Sequence, residues 1–192
     1  MKSVLVFCGS NKGNHPVYET TAIKLGQTLA QGGIRIIYGG GNVGLMGVLA
    51  DAALAEGGAV TGVIPHFLRT REVCHEGLTE LVVVQSMAER KWVMAELADS
   101  VIPLPGGYGT LDELFEMLTL VQLSQAAHPI GLLNVEGFFD PLLAQLDRMC
   151  AAHFLKATHR QMLLAAPHIE GLLFKMKNFT PSTDTSKWLN RE

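Results

Sequence analysis

The sequence predicts a three-layer α/β protein, a mostly parallel sheet with helices on both faces. Three observations carry this. Short β-branched runs alternate along the chain with longer helix-like segments. The short runs are continuously apolar rather than alternately apolar and polar, as in strands covered on both faces. Three of the expected strands also end in glycine-rich turns, where parallel sheets of this type hold their ligands.

The elements follow in order. Apolar runs place strands over Ser3–Cys8, Ile34–Tyr38, Ala59–Ile64, Leu81–Gln85, Ser100–Leu104 and Ile130–Leu133. Between them, helical patterns cover about Val17–Gln31, Leu45–Glu56, Met87–Asp99, Leu111–Ser124 and Phe138–His153. Two helix starts carry capping-box sequences, Ser86-Met87-Ala88-Glu89 and Thr110-Leu111-Asp112-Glu113. Right-handed crossovers then give a Rossmann-like sheet. Residues 1–180 read as one nucleotide-binding α/β domain, and residues 181–192 as a polar C-terminal tail in which Trp188 offers a ring for docking.

The 192 residues suit one domain, and a 48% hydrophobic content excludes a disordered chain. A net charge of -3 argues against a general nucleic-acid or membrane-surface binder. Cys8, Cys74 and Cys150 cannot all pair, and the seven histidines form no metal-ligand spacing. No metal or cofactor is expected. No apolar stretch reaches the length of a membrane span, so a reduced, cytoplasmic, soluble protein is expected.

The glycine turns are Cys8-Gly9-Ser10-Asn11, Tyr38-Gly39-Gly40-Gly41 and Pro105-Gly106-Gly107-Tyr108-Gly109-Thr110. Gly39–Gly44 fits GxGxxG, but it follows the second strand, and the next strand ends Ile64-Pro65-His66 without a ribose-gripping acid. It reads either as a tight turn with close helix packing at Gly44 and Gly47 or, preferably, as a backbone wall for a nucleotide smaller than a dinucleotide. Pro105–Thr110 is more specific. Successive backbone N–H groups before a helix start cradle an anion, and without a following GK[ST] a monophosphate fits better than a triphosphate.

One residue and one pair have two readings each. Glu113 is the N3 residue of a capping box with Thr110 as its N-cap, or a carboxylate facing a bound sugar. Arg90 and Lys91 are a solvated pair, or both point at an anion across the sheet edge. Helix Leu111–Ser124 is apolar nearly all round, which suggests a subunit interface over a central core helix.

Ser86-Met87-Ala88-Glu89-Arg90-Lys91 followed by Pro105–Glu113 resembles the paired signature of the Lonely Guy (LOG) family, the cytokinin riboside 5′-monophosphate phosphoribohydrolases. Val6–Ser10, Tyr38–Gly41 with Gly44–Gly47, and Pro129–Asn134 are similar to it as well, so the resemblance reaches to about Gln161. It departs at Ser86, where an acidic residue is common, and at Pro103, where a small or apolar one is. Such proteins have also been described as lysine decarboxylases, but nothing in the chain marks a pyridoxal phosphate site.

The resemblance implies hydrolysis of the N-glycosidic bond of an N6-substituted AMP, with Arg90 and Glu113 catalytic. It implies that Gly106, Gly107, Gly109 and Thr110 hold the phosphate, helped by Lys91 and Thr119, and that Glu76 contacts substrate. Gly9, Ser10, Gly40, Gly41, Met87, Tyr108 and Asp112 complete the expected substrate-binding set. A homodimer with sites near its interface is implied too. A broader AMP nucleosidase and a non-catalytic nucleotide-binding module are the other readings.

Overall fold

A computed structural model describes residues 1–69 and 74–180. Its elements in chain order are β1 (Ser3–Phe7), α1 (Pro16–Gln31), β2 (Arg35–Tyr38), α2 (Gly44–Ala55), β3 (Val60–Pro65), α3 (His66–Arg69), β4 (Glu80–Val84) and α4 (Met87–Leu97). There follow β5 (Val101–Pro103), α5 (Tyr108–Gln122), β6 (Ile130–Leu133), a 3₁₀ turn (Val135–Gly137), α6 (Asp140–Ala151), α7 (Ala157–Arg160), β7 (Leu163–Ala166) and α8 (Ile169–Lys177). The expected tail, 181–192, lies outside the described residues.

The seven strands form one sheet in the order β4-β3-β2-β1-β5-β6-β7, and every pairing in it is parallel. The chain winds outward from β1 to β4, then crosses through α4 to the other side of β1. The direction therefore switches between β1 and β5, and the loops after those two strands part there to leave a crevice.

The interior strands are apolar on both faces because both faces are covered. Val4 and Val6 of β1, with Ile36, Tyr38, Ile102, Leu104 and Leu133, pack under Leu25 and Leu29 of α1, Leu49 of α2 and Leu172 of α8. The intervening Leu5 and Phe7, with Ile37, Val63, Val101 and Leu132, pack under Met94 of α4, Leu114, Met117 and Val121 of α5 and Leu146 of α6.

Strand β7 and helix α8 were not expected. Leu163-Leu164-Ala165-Ala166 contains no β-branched residue, and it becomes a strand by pairing along β6 from Ile130↔Leu163 to Leu133↔Ala166. Pro103 sits in an interior strand without breaking it. Val101 N–H bonds Pro129 O on the β6 side and Leu104 N–H bonds Phe7 O on the β1 side. By strand alternation, the donor that Pro103 lacks faces β6, and the β5–β6 register there is limited to Val101↔Ile130.

Candidate active site

Because all strands are parallel, α4 and α5 both begin at the carboxyl edge of the sheet. The chain after β4 therefore delivers Arg90 directly to the crevice. Ser86 caps α4, its Oγ accepting from Glu89 N–H at 3.1 Å, while Glu89 Oε2 accepts from Gln85 N–H at 2.7 Å. The first capping box thus forms, with its return bond one residue early.

The second does not. Helix α5 starts at Tyr108 with Gly107 as N-cap and no side-chain capping bond. Thr110 and Glu113 both lie inside the helix, so the capping role considered for Glu113 is excluded by position. The glycines let the helix begin earlier than the Thr110 signal suggests, and they leave the first-turn N–H groups uncapped by any side chain.

A cavity of about 180 Å³ lies beside that helix start, at the β1–β5 switch. It is lined by Cys8, Gly9 and Ser10 after β1, Met46 of α2, Arg90 of α4, and Gly107, Gly109, Thr110 and Glu113 of α5. A Cβ on Gly107 or Gly109 would meet nothing within 4 Å. Packing of the fold itself therefore does not require glycine at either position, whereas a ligand lying against the backbone does. Gly106 differs. A Cβ there would run into the Thr110 hydroxyl, and Thr110 is buried over it.

Arg90 is 7% exposed. Its Nε donates to Val63 O and its Nη2 to Gly39 O, each at 3.0 Å, and Nη1 lies 3.8 Å from Met87 Sδ. The ends of β2 and β3 thus fix the guanidinium plane and leave other N–H donors for the cavity. Gly39 has no side chain because one would occupy the place of Arg90 Nη2.

Glu113 lines the same cavity, held in desolvating surroundings. Behind it lies a second small cavity of about 80 Å³, walled by Phe7, Trp92, Met117 and Leu120. Burial pushes its carboxyl up to about 7, Arg90 and Lys91 pull the other way, and Asp112 and Glu116 add to the rise. The Cys8 thiol at the floor is raised well above its ordinary range, by burial first and by Glu113 second.

The GxGxxG segment packs closely on its neighbours. Gly44 has φ +59 and its α-carbon lies against the Ser10–Asn11 backbone, while Leu45 N–H donates to Gly9 O at 3.0 Å. That first-turn donor of α2 is thereby occupied within the chain. Gly40 and Gly41 are likewise tied down: Gly40 O accepts from His75 N–H, and Gly41 bridges Cys74. Glu76 lies exposed in the adjoining turn, outside the cavity lining. That turn is held by His75, whose Nδ1 accepts from Gly77 N–H and whose Nε2 therefore donates to Asp51 Oδ1 at 3.0 Å.

Of the remaining expected contacts, Tyr108 is 94% exposed at the start of α5. Lys91 turns to Asp112 and Glu116. Thr119 donates to Phe115 O at 2.7 Å and lines a separate cavity with Phe115, Leu118, Gln122 and Arg160. Met46 and Cys8 were not in the expected set, although each adjoins a glycine turn that was.

A protein family described as "Possible lysine decarboxylase" matches residues 46–176. The chain is 48% identical to the probable cytokinin riboside 5′-monophosphate phosphoribohydrolase LOGL1 of Oryza sativa subsp. japonica, over 93% of this chain and 80% of that one. The chain belongs to the LOG family. It is also 43% identical to the rice phosphoribohydrolase LOG, over 94% of this chain and 74% of that one. To Arabidopsis thaliana LOG2 it is 40% identical, over 95% and 86%. Among solved structures, this LOG-family fold is similar to the molybdenum cofactor carrier protein of Chlamydomonas reinhardtii, with TM-score 0.69 and 18% identity over 91% of this chain and 95% of that one. The molybdenum cofactor binding protein of Rippkaea orientalis is similar as well, with TM-score 0.69 and 23% identity over 92% and 96%. At those identities the likeness is one of fold alone.

Proposed function

We propose that the protein hydrolyses the N-glycosidic bond of cytokinin riboside 5′-monophosphates, releasing the free base and ribose 5-phosphate. The observation that carries this is a single cavity with an uncapped helix start at one end and Arg90 facing a desolvated Glu113 at the other. The relatives that share most of the chain bear the name of that reaction.

In this reading the 5′-phosphate lies on the backbone of Gly107–Thr110, where N–H groups and the helix dipole favour an anion. The ribose then falls beside Glu113. As the glycosidic bond breaks, positive charge develops on the sugar, and the carboxylate stabilises it while orienting water. Arg90 keeps its charge throughout and serves to orient the leaving base. Gly106 supports Thr110, and Gly9 and Ser10 form the opposite wall. Met87 steadies Arg90.

The protein acts as a homodimer through α5 in the cytoplasm. One face of α5 is packed in the core, yet Phe115 elsewhere on α5, Leu123 at its C-cap and Trp92 on α4 are 38%, 45% and 62% exposed, an apolar surface suited to a second copy. Cys8, Cys74 and Cys150 are all free thiols, which suits a reducing compartment.

The test is incubation with AMP and with N6-isopentenyl-AMP, followed by chromatographic separation of the bases. Faster release of isopentenyladenine supports the proposal. Equal rates make the protein a general AMP nucleosidase, and no release from either makes it a nucleotide-binding module.

A further inference from the structure

Lys91 follows Arg90 in sequence, but its side chain takes another course. Its ammonium is 3.1 Å from Asp112 Oδ2 and 2.5 Å from Glu116 Oε2. Those carboxylates stand four residues apart on α5, on the same face, with Glu113 next to one of them. Lys91 does not line the main cavity. It lines the small one behind Glu113, beside Trp92 and Glu116.

Five charged or chargeable side chains therefore meet where α4 touches α5: Arg90 and Lys91 from α4, and Asp112, Glu113 and Glu116 from α5. From the end of β1, Cys8 faces Glu113 as a protonated thiol. Asp112 and Glu116 disfavour an ionised Glu113 through like charge, and Lys91 sits where it offsets both. The close ion pair with Glu116 is the main reason that Lys91 itself is held above its ordinary range. One ammonium between two carboxylates leaves a net negative cluster, which does not favour a phosphate.

We infer that Lys91 is a positioning residue for Glu113: it binds Asp112 and Glu116 rather than substrate, offsets the two carboxylates that crowd Glu113, and ties α4 to α5 so that Arg90 and Glu113 keep facing one cavity. The inference rests on the reading of Glu113 as the catalytic carboxylate. Its signature is a pair of opposite effects. Without Lys91, Asp112 and Glu116 act on Glu113 unopposed, and it takes up a proton at higher pH. Without Asp112 and Glu116, Lys91 and Arg90 act unopposed, and it holds its charge to lower pH.

The test is direct titration of Glu113 by ¹³C NMR on protein labelled at the glutamate carboxyls, with the signal assigned by its loss in Glu113→Gln. The pH profile of base release from AMP is measured alongside. Lys91→Met is expected to raise both midpoints by roughly half to one pH unit, and Asp112→Asn/Glu116→Gln to lower them by a similar amount. Lys91→Arg restores the wild-type midpoint. Inhibition by ribose 5-phosphate should change by less than about twofold in Lys91→Met. An unmoved midpoint in both directions, or a loss of about tenfold in ribose 5-phosphate affinity, overturns the assignment, the latter by showing that Lys91 holds the phosphate. Should Lys91→Met fail to fold, the downward shift in Asp112→Asn/Glu116→Gln decides alone. If wild-type protein releases base from no nucleotide, the functional reading fails, while the carboxyl titration still decides the role of Lys91.

Discussion

Arg90 and Glu113 line the same cavity without forming an ion pair, because Arg90 is bonded instead to the carbonyls of Val63 and Gly39, each at 3.0 Å. A closed Arg–Glu pair would satisfy both groups and leave neither directed at a ligand. Held apart, the guanidinium is fixed by neutral acceptors and keeps its charge available. The carboxyl is desolvated with only partial compensation, a condition that favours a group poised near neutral pH.

Glu113→Gln should lower kcat by two to four orders of magnitude, about 3–5 kcal/mol of transition-state stabilisation, because Gln keeps the shape and loses the charge. Ribose 5-phosphate should still bind, since its cradle is intact. Steady-state rates on AMP with product-inhibition constants check this. Near-wild-type turnover would remove Glu113 from the chemistry.

Gly39→Ala should act at a distance on the same step. The added methyl would occupy the site of Arg90 Nη2 and force the guanidinium from its two carbonyl partners. Activity should fall by at least about tenfold, roughly 1.4 kcal/mol, while circular dichroism retains the folded signature. An unchanged kcat would mean that the observed Arg90 geometry is not the working one.

Gly107→Ala and Gly109→Ala separate fold from ligand. Both methyls enter open space, so the melting temperature should hardly change. If a phosphate lies there, KM for AMP should rise by about tenfold or more. Gly106→Ala should instead destabilise, because its methyl meets Thr110. Unaltered KM in both open-space variants would move the phosphate elsewhere.

The sheet was legible because each of its first six strands is a short apolar run closed by punctuation, and double coverage makes such runs conspicuous. Strand β7 was not, since Leu163–Ala166 carries no strand preference apart from its neighbour β6. At the site, the glycine turns and the Arg90-Lys91 pair stand out in sequence. What the sequence obscured was register at the start of α5. Thr110 and Glu113 satisfy a capping pattern that three glycines pre-empt, and only the position of Gly107 as N-cap separates the two. The partners of Lys91 were hidden for a different reason, as they belong to another helix.

Dimer formation should depend on the uncovered side of α5. Phe115→Glu places a charge on a 38% exposed aromatic outside the main core, so the monomer fold should survive. Light scattering at micromolar concentration should show the wild type as a dimer and the variant as a monomer with reduced activity. A wild-type monomer would contradict the assignment.

The pH dependence follows from Glu113, and its two consequences run in opposite directions. Its carboxyl is raised to about 7 by burial, whereas in the unfolded chain it titrates near the ordinary value of about 4.3. Below the ordinary value it is protonated in both states and costs nothing. Between the two values the folded protein binds a proton that the unfolded chain has released, so stability falls as pH rises through that window, and the full cost is present above about 7. Glu113→Gln removes the ionisable group. It should therefore leave the melting temperature nearly unchanged at acid pH and raise it at pH 8, through a gain in stability on the order of 1–3 kcal/mol. Catalysis needs the charged form, so kcat/KM on AMP should rise with pH through the same range and level off above it. Thermal melts of both proteins across pH, together with the rate profile, test the pair. A melting-temperature difference that does not grow with pH would show that Glu113 is not desolvated in the free protein. A rate profile flat from pH 5 to 8 would show that its ionisation does not govern the reaction.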